Sequence, residues 1–294
     1  MWTLVALAGA GVVAELVDGA LGMGFGVTTT SLLLALGLAP AAASASVHAA
    51  KVAAALANGA AHWRFGNVDR ASLPWLAVPG CAGGVVGAVA IAGASAASAR
   101  PAVAIFLIAM GALLLWRHLR PFSQTTRAPS RGRTAALGLV AGSLDAFGGG
   151  GWGPIATPAM ILMEGHEPRK AVGTVNLAEF FVSLVVAATL IALLGASGLR
   201  WDFVLAVAAG GVAAAPFAAH LTRRLKPQFL AGLVALLLIS LNARTLATDL
   251  FGADPLASAA FIASVIAATL AALAVGRARR APPVAAGPPS GPTP

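Results

Sequence analysis

The chain is a succession of long apolar runs separated by short polar ones, and nowhere does it alternate strictly between apolar and polar positions. The runs cover residues 4–17, 27–38, 41–61, 73–92 and 102–116 in the first half, then 135–147, 155–163, 171–194, 203–220 and 229–241 in the second, with a last run at 256–275. About 20 apolar residues wound as a helix match the roughly 30 Å of bilayer hydrocarbon, whereas barrel strands show a two-residue period over about ten residues. The pattern therefore predicts an all-α integral membrane protein.

Two of the breaks are made of glycine instead of charge. Residues 144–158 read LDAFGGGGWGPIATP, with Gly148, Gly149, Gly150 and Gly151 in succession inside an apolar segment. Unpaired peptide groups in hydrocarbon cost several kcal/mol each, so such a break is tolerated only where it is buried in protein or lines a wet cavity. The stretch has a counterpart at 17–36. At a constant separation of 127, Asp18 matches Asp145, Gly22 matches Gly149, Gly24 matches Gly151, Phe25 faces Trp152, Gly26 matches Gly153 and Thr30 matches Thr157. After one inserted residue the separation is 128, and Gly37, Pro40, Ala43 and Val47 match Gly165, Pro168, Ala171 and Val175. An internal duplication follows.

The arms beside each glycine break, about 12 residues, rise only about 18 Å as helices, short of a full crossing. Each pair is thus one interrupted span or a hairpin that returns to its own side, and charge placement chooses between them. With the Arg-rich stretch 117–133 and the Arg277, Arg279, Arg280 cluster in the cytoplasm, a hairpin puts Arg169, Lys170, Arg223, Arg224 and Lys226 inside and Arg200 outside, as the positive-inside rule requires. Arg64 and Arg70 then lie inside and Arg100 outside. Each repeat contains one glycine-broken re-entrant helical hairpin and three crossings, an odd number. The repeats are therefore inverted, the plan of secondary transporters whose site lies near the midplane where broken helices meet. The expected organisation is a first repeat at 1–118, a basic cytoplasmic linker at 119–133, a second repeat at 134–246, an extra C-terminal helix at 247–276 and a disordered, Pro-rich cytoplasmic tail at 277–294.

Composition agrees. Of 294 residues, 59% are hydrophobic and 10% charged, with a mean hydropathy of +0.87, against about 25% charged in soluble domains. The net charge of +9 belongs to segment ends and points to the bilayer as partner, not to nucleic acid. Residues 4–17 have no basic residue before them and read as retained structure, not a signal peptide. Cys81 is the single cysteine and cannot form an intramolecular disulfide. The absence of HExxH, CxxC, GxSxG and a complete nucleotide loop leaves neither cofactor nor metal expected, and argues against ATP-driven transport within the chain.

A helix that starts after a glycine turn aims free N–H groups and a positive dipole end at whatever sits there, and so attracts anions. Two such starts are expected to converge: Gly24 and Gly26 with Thr28, Thr29 and Thr30, and Gly150, Gly151, Trp152 and Gly153 with Pro154 and Thr157. The alternative for the glycines is close helix packing. His48 and Lys51 share one helix face after the first hairpin, and Asn176 and Glu179 hold the same places after the second. Lys51 can face a substrate's negative charge or pair with Glu179, which is a candidate for proton coupling; His48 reads as a ligand or as a hydrogen-bonded core residue. Asp18 and Asp145 either brace the turns by accepting backbone N–H bonds or titrate during transport. Paired intramembrane aspartates also raise an aspartyl enzyme, though the GxGD order of one such class is absent because the glycines follow each Asp. His62, Trp63, Arg64, Trp75, Trp116 and Trp201 fit an interfacial belt.

At these residues the sequence resembles the TauE/SafE family of sulfite exporters. The likeness is carried by residues 18–26 with LGLAP at 36–40 and SASVHAAK at 44–51, by GNVD at 66–69, and by AGSLDAFGGGGWGP at 141–154 with the stretch 168–179. It implies a multi-pass permease of a bacterial inner membrane that exports sulfite, sulfoacetate or related sulfur-containing anions. The sequence leaves open whether protons are the coupling ion and whether the same parts instead form a passive anion channel.

Overall fold

A computed structural model of the protein describes residues 2–119, 128–162, 164–221, 227–251 and 255–278. Among the described residues all regular structure is helical. In chain order the helices are α1 (Trp2–Leu21), α2 (Phe25–Ala35), α3 (Pro40–Arg64), α4 (Leu73–Gly93), α5 (Ala96–Leu119), α6 (Arg131–Gly148), α7 (Trp152–Leu162), α8 (Pro168–Leu194), α9 (Trp201–Leu221), α10 (Pro227–Phe251) and α11 (Pro255–Ala278), with a short 3-10 turn at Ala196–Gly198. Residues 120–127 of the expected basic linker, the Arg223, Arg224 and Lys226 cluster, and the tail from 279 lie outside the described residues.

Local chemistry sets several ends. Pro40, Pro168, Pro227 and Pro255 open their helices, where a missing N–H costs nothing and φ is already helical. The two glycine breaks close α1 and α6: Gly22 and Gly149 adopt left-handed φ of 65° and 68°, which a side chain would oppose. The arms of the two hairpins are unequal, because α1 has 20 residues and α6 has 18, against 11 in each of α2 and α7. Sequence polarity ends the first arm at 17, but Asp18 stays inside the helix, and its carbonyl accepts the N–H of Gly22 at 2.6 Å. The helix continues because its carboxylate finds a partner across the turn. Likewise α10 runs on past 241 to Phe251, since Asn242 donates back to the Leu238 carbonyl and to Ser31 Oγ.

α4, residues 96–116 of α5, and α8 are long and apolar enough to cross a membrane individually. At the centre α3 packs on α8. α4 packs on α6 and α8, α9 on α1 and α3, and α5 on α10, while α11 lies against α10 and α5. The short arms sit inside this frame, α2 beside α1, α3 and α10, and α7 beside α6 and α8. Glycine permits the closest approaches. A Cβ on Gly83, Gly87 or Gly142 would fall 2.0–2.1 Å from a carbonyl oxygen across the α4–α6 seam, and one on Gly11 or Gly210 would fall 2.3 or 2.0 Å from one across the α1–α9 seam. Small residues that let backbones touch are how membrane helices gain packing without a hydrophobic drive between them.

A buried charge cluster where two glycine turns meet

The turns at 22–24 and 149–151 touch, and their contacts are reciprocal. Thr30 Oγ1 donates to the Gly149 carbonyl, and Thr157 Oγ1 donates to the Gly22 carbonyl at 2.8 Å. A Cβ on Gly150 would lie 2.2 Å from Val27 N, one on Gly26 2.8 Å from Gly150 Cα, and one on Gly153 2.6 Å from Met23 Cα. The opposing backbone therefore occupies the place a side chain would take. At Gly148 and Gly151 that place belongs to the Phe106 ring.

Each turn is braced by the aspartate that precedes it. Asp18 Oδ1 accepts the N–H of Phe25 at 3.2 Å, and Asp145 Oδ1 accepts those of Gly151 and Trp152 at 2.6 and 3.0 Å. Both carboxylates thus sit at the positive ends of α2 and α7, which favours their charge. Each gives its Oδ1 to the backbone of its own turn, and no hydrogen bond joins Asp18 to Asp145.

Around the turns lies a group of ionisable side chains that are almost wholly buried. Lys51 of α3 forms an ion pair with Glu179 of α8, with side chains 4% and 2% exposed, and the Lys51 ammonium lies beside Gly26 in the first turn of α2. His48 Nε2 is 3.0 Å from Asp145 Oδ2, while its Nδ1 is 2.8 Å from the Ser44 carbonyl. The Ser44 hydroxyl also lies 3.3 Å from Nδ1, so both ring nitrogens are engaged. Ser44 Oγ donates to the Ala146 carbonyl at 2.6 Å and fastens α3 to α6.

Not every expected site residue opens onto this cluster. Trp152 is fully buried, gives its indole N–H to the Val175 carbonyl at 3.0 Å, and packs against Gly80. It is a core anchor. Thr157 is engaged by Gly22, and Gly24 serves as the left-handed cap of α2. By contrast, Thr28 Oγ1, Thr29 Oγ1 and both side-chain atoms of Asn176 are buried without a hydrogen-bond partner among the described residues. Buried polar atoms of this kind are costly unless something satisfies them.

Sequence reasoning missed two members of the cluster. Glu15 of α1 is 1% exposed and accepts a hydrogen bond from Asn58 Nδ2 of α3. The signal was present: Glu15 interrupts an apolar run three residues before Asp18, on the same helix face. It also missed a latch between two loops. Ser72 Oγ donates to Asp69 Oδ2 at 2.8 Å and lies 2.9 Å from His166 Nε2, which is 3.0 Å from the same Asp69 oxygen. Lys170 Nζ donates to the Gly66 and Val68 carbonyls, and Arg133 pairs with buried Glu164 at 2.6 Å. Burial alone would raise the Asp69 carboxyl, but the bonds from Ser72, the Ala71 N–H and His166 hold it below its ordinary range. A cavity of about 520 Å³ opens here, lined by Trp63, Asp69, Arg70, His166 and Lys170 among others. Among the described residues no group of three or more His, Cys, Asp or Glu is arranged to hold a metal ion.

Comparison with known proteins gives this architecture a family. The model described as Sulfite exporter TauE/SafE matches residues 7–245. The chain is also 40% identical, over 253 residues, to the Probable membrane transporter protein YtnM of Bacillus subtilis (strain 168), a match covering 85% of this chain and 84% of that protein. No solved structure matches it. The names of family and relative are those of a transporter and not of an enzyme, in keeping with long apolar helices around a buried charged centre. The chain belongs to the TauE/SafE sulfite exporter family and is a multi-pass membrane transporter.

Proposed function

We propose that the protein is a secondary transporter that exports a small sulfur-containing anion, sulfite or an organosulfonate such as sulfoacetate, across a bacterial inner membrane by alternating access. The observation that carries this reading is the pairing of Lys51 with Glu179 beside two glycine turns that contact each other reciprocally. A twofold internal repeat is supported by the packing as well: α4 on α6 corresponds to α9 on α1 when each helix is exchanged for the one five places along, and α3–α8 and α5–α10 map onto themselves; the charge placement along the chain is what makes the two copies inverted. Such a frame can rock about its axis while the site stays at the centre.

Glu179 neutralises Lys51. An arriving anion competes for the ammonium, and Thr28, Thr29 and Asn176, buried without a hydrogen-bond partner among the described residues, are the candidate hydroxyl and amide donors for it. The first turns of α2 and α7 add their positive dipole ends. Glu179, once displaced, would be a bare charge in a low-dielectric interior unless it takes a proton. Proton coupling follows from that cost, with Asp18 and Asp145 as further candidates.

The test is flux in proteoliposomes against a panel of sulfite, sulfoacetate, thiosulfate and chloride, with and without an imposed pH gradient. Uphill movement of sulfite or sulfoacetate driven by the proton gradient is expected, and Lys51→Ala should abolish it with the protein still inserted. Flux that only ever runs downhill would make the protein a passive channel; unchanged flux in the lysine variant would remove Lys51 from the site.

A further inference from the structure

The buried centre contains more carboxyl groups than cations. Lys51 answers Glu179, and Asp145 accepts two backbone N–H groups and lies 3.0 Å from the His48 imidazole. Two carboxyls remain. Asp18 receives the Phe25 N–H at the positive end of α2. Glu15 has only the neutral amide of Asn58, although it is just as deeply buried and stands within electrostatic reach of Asp18, Glu179 and Lys51. A buried carboxylate with neither cation nor helix end to support it is the costliest charge in the group, so it is the one that holds a proton.

We infer that Glu15, buried on α1 and held by Asn58, is a proton-exchanging residue of the transport cycle, carrying its proton as the neutral acid. The inference rests on the proposed transport function and adds to it a group on α1 that neither family nor relative assigns. The Asn58 amide donates to Oε1, which leaves Oε2 to carry the proton. In the exchange step the Oε2–H bond breaks, its electron pair stays on the carboxylate, and the proton passes to water on the side to which the site is open. The reverse step restores the acid. An anion at Lys51 and a proton on Glu15 attract one another, so each binds better when the other is present, and that reciprocity is the coupling.

The surroundings make Glu15 the group whose titration should be visible. Its own helix presents Asp18; α3 presents Lys51 and Asn58; α8 presents Glu179. α2 carries no titratable side chain. On α9 and α10, which also pack on α1, the described groups are Asp202, paired with Arg200, and Arg244 and Asp249, the last paired with Arg100.

The experiment measures sulfite flux and accompanying proton movement in proteoliposomes across pH, for wild type, Glu15→Gln, Glu15→Asp and Asn58→Leu. Glu15→Gln should lose the proton movement that accompanies the anion and flatten the pH profile, and Glu15→Asp should restore both in part. Asn58→Leu keeps the acid but removes its holder, and should shift the pH midpoint of flux; it also serves if the glutamine variant fails to fold. Wild-type pH profiles and proton movement in both Glu15→Gln and Asn58→Leu would overturn the inference while leaving anion transport standing. A wild-type protein that moves no anion at all would instead bring down the functional reading beneath it.

Discussion

Single residues matter most here where charge is buried. Removing one member of a buried ion pair strands the other and costs about 3–5 kcal/mol, so the loss of Lys51 endangers folding as well as flux, and insertion has to be measured beside transport. Asp69 offers a cleaner handle because it lies in a loop outside the helices. Although burial acts to raise it, the bonds from Ser72, Ala71 and His166 hold its carboxyl below the ordinary value. A depressed carboxyl contributes stability that is present above its unfolded value, about pH 4, and is lost as pH falls through the folded one. Thermal unfolding in detergent should therefore show wild type losing more stability than Asp69→Asn between pH 7 and pH 3. Parallel loss in the two proteins would mean that the loop latch contributes nothing.

At the scale of elements, the glycine seams decide how closely helices approach. A leucine at Gly142 would drive its Cβ to 2.1 Å from the Gly80 carbonyl, and one at Gly11 to 2.3 Å from that of Val207. Neither backbone can yield without parting α4 from α6 or α9 from α1. Both substitutions should sharply reduce the yield of folded protein and its melting temperature. Gly132 in the first turn of α6 has open space around it, so Gly132→Ala should be neutral or stabilise by up to about 1 kcal/mol through its better helix propensity. Size-exclusion profiles and melting curves of the three variants check this; equal behaviour would show that the seams are not tight packing contacts.

The whole molecule is governed by orientation. Inverted repeats require equivalent loops to open on opposite sides, and the α3–α4 loop corresponds to the α8–α9 loop. In a Cys81→Ala background, Ala71→Cys should react with an impermeant maleimide from the cytoplasmic side alone, and Ser197→Cys from the opposite side alone. Both positions are exposed. Labelling of both from one side would rule out the inversion and the rocking mechanism built on it.

Much of this protein is legible in its sequence, and the boundary is physical. Membrane character, helical class, the two glycine turns and the choice of Lys51 and Glu179 as opposed charges all depend on composition or on residues close in the chain, where helical hydrogen bonds reach only four positions and apolar character simply adds along a segment. What tertiary structure alone decided is which groups meet. Asp145 finds His48, Glu15 finds Asn58, and His166 finds Asp69 across 97, 43 and 97 positions. Glycines whose matched clusters suggested an anion cradle also make close backbone contacts at Gly26, Gly150 and Gly153, and Trp152 is buried with its indole N–H on the Val175 carbonyl. Even helix ends moved, because Asp18 and Asn242 stay helical only when a partner elsewhere satisfies them. A buried polar group must be satisfied, but its type says only that it needs a partner, and where the helices cross determines which one it gets.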